Sequence, residues 1–101
     1  MKKLFVAAVL FGGLLSAGEM TGWISDSSCG AGNASSEKAS RDCTANCIKG
    51  GAKAVFVSEK DQKVYQLADQ TKATKFLEKK VKVNGKLSGN TLELTSIAYA
   101  E

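Results

Sequence analysis

Histidine is absent from all 101 residues. That excludes Ser-His and Cys-His nucleophile pairs and every zinc site completed by imidazole. Proline is absent as well, and arginine is represented by Arg41 alone among lysines. There is no Gly-rich phosphate loop, and the cysteines include no C-x-x-C pair, which argues against a thioredoxin-like enzyme. The length leaves no room for a Rossmann domain, a (β/α)₈ barrel or a second folded unit. No covalent c-type haem is expected either, because Ile48 follows Cys47 where the axial histidine would be needed.

No apolar run is long enough to cross a bilayer. The longest, residues 4–15, would rise only about 18 Å as a helix against a hydrocarbon core of about 30 Å. It follows Met1-Lys2-Lys3 and precedes Ser16-Ala17-Gly18, the three parts of a secretory signal peptide. The expected organisation is a leader over residues 1–18, cut after Ala17 or Gly18, and a single domain over residues 19–101. That places the chain in the periplasm or outside the cell, with no membrane span after cleavage. Loss of Lys2 and Lys3 lowers the excess of basic over acidic residues from four to two. A mild lysine excess is a solubility device rather than a nucleic-acid footprint, so no nucleic-acid partner is expected.

What remains has the composition of an ordinary globule, 44% hydrophobic and 24% charged. Residues 19–25 carry Thr, Trp and Ile and read as a first strand. Residues 26–39 are small and polar, a long loop of the kind that is tied down or functional. Ser40 is placed to cap a helix over residues 41–49, with Gly50-Gly51 as its stop. Two strands follow, residues 53–58 and 63–67, around a polar turn. Asp69 is placed to cap a helix of two to three turns in which Ala73, Phe76 and Leu77 share a face. Residues 79–86 alternate, Val81 and Val83 against Lys80, Lys82 and Lys86. Thr91–Tyr99 closes the series, but Leu92 and Leu94 lie on the opposite parity from Ile97 and Tyr99. A bulge near Thr95-Ser96 would return both pairs to the core, with Gly85 as a companion kink.

Five strands with a helix between the third and fourth give the order of an OB fold. The expected architecture is mainly β: a small, five-stranded, partly closed OB-like barrel, with a short Cys-bearing helix inserted after strand 1. An open α+β sheet with one helix on its face is the rival.

The chemistry gathers at Cys29, Cys43 and Cys47. Exported chains meet oxidising conditions, and a small domain gains from a staple. Helical i, i+4 neighbours hold their Cβ atoms about 5–6 Å apart, whereas a relaxed disulfide wants about 3.5–4.5 Å. Cys29 is therefore expected to pair with Cys43 or Cys47, closing a loop worth roughly 3 kcal/mol. A second reading is a thiolate site for copper or zinc, formed by the three cysteines with Asp26, Asn33 or water in the fourth position. A third is redox exchange or a disulfide-linked dimer through the odd thiol. Asp26 also suits a cap on the turn leaving strand 1. Trp23, Tyr65 and Tyr99 are candidates to stack a ligand on the barrel, or else pack its core or rim. Asn33-Ala34-Ser35 has the form of a glycosylation sequon, a fortuitous match behind a leader of bacterial type.

The run Gly22-Trp23-Ile24-Ser25-Asp26-Ser27-Ser28-Cys29-Gly30, then Cys43-x₃-Cys47, then Gly51-Ala52-Lys53, resembles a group of small exported bacterial OB-like domains. Lys82-Val83-Asn84-Gly85-Lys86-Leu87 followed by Thr91-Leu92-Glu93-Leu94 belongs to the same resemblance, which spans nearly the whole mature chain. Similar sequences carry a histidine a few residues after the first cysteine, about where Asn33 stands here. The resemblance implies a fold and a compartment and brings no activity with it. The expected role is a non-catalytic binding or structural module with an unidentified ligand or protein partner and no cofactor.

Overall fold

A computed structural model describes residues 15–100. The expected leader falls largely on residues 1–14, outside the described residues. In chain order the elements are β1 (Leu15–Asp26), a 3₁₀ turn (Gly30–Asn33), α1 (Lys38–Lys49), β2 (Ala54–Ser58), β3 (Val64–Leu67), α2 (Gln70–Ala73), β4 (Val81–Ser88) and β5 (Thr91–Tyr99). The strands close into a barrel in the order β1-β2-β3-β5-β4. This is the OB-like arrangement, with the cysteine-bearing insertion between β1 and β2.

The first strand is longer than residues 19–25 because β1 serves two neighbours. Its first half pairs antiparallel with β4, Met20 opposite Val83, and its second half with β2, Ile24 opposite Phe56. Gly22 stands at the change of partner, opposite both Val81 and Ser58. β3 and β5 complete the circle through a short parallel pairing, Gln66 to Thr91 and Leu67 to Leu92. A closed circuit removes the sheet edges that an open sheet would expose.

Alternation fills the interior. Ile24, Phe56, Leu67, Val81, Val83 and Leu92 form the buried core, and Met20, Phe76, Leu87, Leu94 and Ile97 pack against it. The parity defect in the last strand is a bulge, as its pattern predicts. Asn84 faces Ser96 and Gly85 faces Leu94, so Thr95 is the extra residue, and its hydroxyl donates to the Asn84 carbonyl at 3.0 Å. Gly85 sits at the same point because a Cβ there would run into the Glu93 carbonyl.

Both helices depart from their expected bounds. α1 starts three residues before residue 41, and Ser40 does not cap it; the N-cap is Glu37, without a side-chain bond. The Ser35 hydroxyl instead accepts from the Glu37 amide and donates to Ser40 Oγ, organising the entry to the helix. The stop is as expected: Gly51 takes φ +113°, and the Gly51 and Ala52 amides return to the Ile48 and Cys47 carbonyls. α2 is capped by Asp69, which accepts from the Lys72 amide, but it lasts one turn rather than two or three. The chain then turns away, setting Phe76 edge-on to Tyr99 at 5.1 Å and aiming the Leu77 carbonyl at Arg41. The apolar face survives; the helix does not.

Candidate functional site: a buried carboxylate beside three thiols

Asp26 ends β1 on the same inward face as Ile24 and is fully buried. A buried carboxylate needs donors or it neutralises. Here the Cys29 amide donates to Oδ2 at 2.9 Å, Asn33 Nδ2 to Oδ1 at 2.8 Å and Thr44 Oγ1 to Oδ1 at 3.2 Å. Burial works against the charge, but these donors outweigh it and hold the Asp26 carboxyl below its ordinary value. The expected cap on the turn leaving strand 1 is thus present, as one part of a larger assembly.

The matching cation is Arg41, also buried. Its Nη1 donates to the Ile24 carbonyl at 2.9 Å and the Leu77 carbonyl at 3.0 Å, and its Nη2 donates to the Asn33 carbonyl. Burial pushes the guanidinium down from its usual range, and the Asp26 charge opposes that shift. Asn33 joins the two ions, its amide on Asp26 and its carbonyl on Arg41. α1 therefore docks through Arg41, Thr44 and Ile48, at i, i+3 and i+7, a mainly polar stripe. Outside this node, Ser25 Oγ donates to the Gly30 carbonyl at 2.7 Å and Trp23 Nε1 to Ser36 Oγ at 3.0 Å. Polar bonds of this kind, with no disulfide among them, fasten the insertion to the barrel.

All three cysteines are free thiols, Cys29 exposed and Cys43 and Cys47 half-buried. They are nonetheless brought together. Cys43 and Cys47 lie 4.2 Å apart on α1, and the Cys29 amide is held on Asp26. The Asp26 charge, with lesser help from desolvation and Cys43, raises the Cys29 thiol above its ordinary value. Desolvation first, then Asp26 and Cys43, pushes Cys47 up to about 11.

The metal reading finds less support. No group of three Cys, Asp or Glu side chains among the described residues is arranged to hold an ion. Both Asp26 oxygens are already engaged by donors, so the carboxylate is not a spare ligand. The aromatic candidates do not form a platform. Tyr65 is buried and stacks with Phe56, Tyr99 packs against Phe76 at the rim, and Trp23 is buried beside Ser36 with Lys80 5.6 Å above its ring.

A groove of about 480 Å³ lies beside the insertion, between β2–β3 and the 3₁₀ turn, lined by Ser27, Gly30, Lys53, Val64 and Gln66 among others. Val64 is the exposed large apolar side chain there, and a Cβ on Gly30 would sit 3.6 Å from it. No sequence signal marked this groove. Compared with protein-family models, curated proteins and solved structures, the chain matches none. Fold and site together define an OB-like barrel carrying a cysteine-bearing insertion anchored by a buried Asp26–Asn33–Arg41 hydrogen-bond network.

The depressed carboxyl has a measurable consequence. A carboxylate whose folded pKa lies below its unfolded value of about 3.9 stabilises fully above that value and ceases to do so as pH falls through the folded one. Urea unfolding is expected to show stability falling below about pH 4. Asp26→Asn is expected to be less stable at neutral pH and to flatten that acid decline. An equally steep decline in the variant would assign it to other carboxylates.

Proposed function

We propose that the chain is an exported, non-catalytic binding or structural module whose insertion is stapled by one disulfide, from Cys29 to Cys43 or Cys47. The observation that carries this reading is that one buried carboxylate holds both cysteine-bearing segments: Asp26 accepts from the Cys29 amide and from Thr44, the residue after Cys43, before any bridge exists. Preorganisation lowers the cost of closure, because the loop is already folded onto the barrel. The binding half of the reading is supported by the groove on β2–β3 beside the β1–β2 connection, the face on which OB barrels take extended ligands.

The test is chemical mapping of the thiols in protein recovered from the periplasm or medium. The expected result is a peptide linking Cys29 to Cys43 or Cys47, one alkylatable thiol at the other, and a mass about two units below that of the reduced chain. Three alkylatable thiols with a bound ion would replace the staple by the copper or zinc reading. A Cys29-linked dimer on a non-reducing gel would replace it by partner attachment.

A further inference from the structure

We infer that Cys43 and Cys47, in the reduced chain, form a two-thiolate site for copper(I) that needs neither Cys29 nor any other side chain as a ligand. The inference goes beyond the staple reading, which concerns the oxidised chain. A bridge from Cys29 to either helix cysteine consumes one of the two ligands, so the stapled and copper-loaded forms exclude each other.

The geometry of α1 carries the argument. Cys43 and Cys47 approach to 4.2 Å, closer than the Cβ atoms of residues one helical turn apart, which stand about 5–6 Å from each other. The two side chains therefore turn toward one another. A disulfide would require the sulfurs at about 2.05 Å and the Cβ atoms within about 3.5–4.5 Å, which means drawing in a turn of helix. That turn is fixed at both ends. Arg41 and Thr44 flank Cys43 and are bonded to Ile24, Leu77, Asn33 and Asp26. The Cys47 carbonyl accepts from the Gly50 and Ala52 amides. An ion between the sulfurs asks for no such movement. With metal–sulfur bonds of about 2.3 Å, two thiolates stand about 3.8 Å apart at a tetrahedral angle and about 4.6 Å apart in line. The observed separation falls between these limits.

The shortage of further ligands selects the ion. Thiolates suit copper(I), zinc and iron–sulfur clusters. Zinc almost always takes four ligands, and the clusters take four cysteines. Among the described residues no third Cys, Asp or Glu side chain joins the pair to hold an ion, and the chain has no histidine. Both Asp26 oxygens are occupied by donors, and Met20 packs against the barrel core. Copper(I), soft and singly charged, is satisfied by two thiolates. Cys43 and Cys47 are half-buried, open enough to load and sheltered enough to keep water from competing. Loading releases the two thiol protons to solvent and changes no oxidation state.

The experiment titrates the fully reduced protein, without oxygen, into the coloured bicinchoninate complex of copper(I). The wild-type protein and Cys29→Ser are expected to withdraw one copper(I) per chain with equal affinity. Cys43→Ser and Cys47→Ser should each bind more than about 100-fold more weakly, since groups behind a metal ligand are already worth 10–100-fold. Alanine variants repeat the test should the serine variants fold poorly. X-ray absorption of the loaded protein should show two sulfur neighbours at the copper, and zinc should remain with a competing zinc chelator. Loss of binding in Cys29→Ser, undiminished binding in Cys43→Ser or Cys47→Ser, or zinc taken up as tightly as copper(I) would each overturn the inference. If recovered protein carries no bridge while the reduced protein binds copper(I) through the helix pair, the staple reading fails and the copper site stands. If recovered protein is bridged and the reduced protein withdraws no copper(I), the copper site fails alone.

Discussion

Replacing Arg41 by alanine is expected to destabilise the domain by about 3 kcal/mol or more, because each buried acceptor left without its donor costs about 1–3 kcal/mol. Three carbonyls, those of Ile24, Asn33 and Leu77, lose their donor at once, and the Asp26 charge loses a favourable cation nearby. Small domains have only about 5–15 kcal/mol in hand, so much of the folded population is at stake. Lysine should not rescue, because an ammonium cannot reproduce the fork that reaches carbonyls on β1, on the 3₁₀ turn and after α2. The control is Lys38→Ala, which breaks an exposed pair with Asp42 and should change stability by no more than about 1 kcal/mol. Urea midpoints for the three variants check the ordering. An Arg41→Ala midpoint close to wild type would mean that α1 docks by some other means.

The second large effect is expected at Gly22. β1 changes partner there, and a side chain would enter the space where β2 crosses. A Cβ would run into the Val57 carbonyl and come within 2.9 Å of the Phe56 ring. Val57 pairs with Trp23 and Phe56 with Ile24, immediately beside the clash, so relief requires prising the two strands apart. Gly22→Ala is expected to cost about 3 kcal/mol or more, which for a domain of this size lowers the melting temperature by more than about 10 °C. Gly32→Ala is the matched control, since the nearest atom to its Cβ is Cys29 Cβ at 3.9 Å, and it should melt within a few degrees of wild type.

The barrel was legible in the chain because its physics is local. Val81 and Val83 alternate against lysines, and the parity break between Leu94 and Ile97 announces a bulge that the register contains at Thr95. The helix limits were less legible. Ala73, Phe76 and Leu77 have helical spacing, yet the last two reach the core through a turn. Spacing reports which side chains go inside but not the backbone path that takes them there.

The site divides in the same way. The three cysteines and Asp26 attract attention by type, and they do come together. Thr44 gives no signal alone, and Arg41 is marked only as the single arginine among lysines. Its role depends on carbonyls at Ile24 and Leu77, remote in sequence, and no residue type advertises a carbonyl that will be short of a donor. Trp23 and Tyr65 illustrate the converse: aromatic residues attract a ligand hypothesis, and burial accounts for both.

The neck of the insertion is closed by two bonds, from the Ser27 amide to the Lys53 carbonyl at 2.8 Å and from the Lys53 amide to Ser27 Oγ at 3.0 Å. To the strands on either side, the whole excursion is equivalent to a tight reversal of the chain. Lengthening a loop from such a joint costs little entropy. The barrel is thus a chassis with a socket: cassettes of other lengths and chemistries can be grafted between Ser27 and Lys53, provided each brings a plug that does for Ile24 and Leu77 what the guanidinium does here.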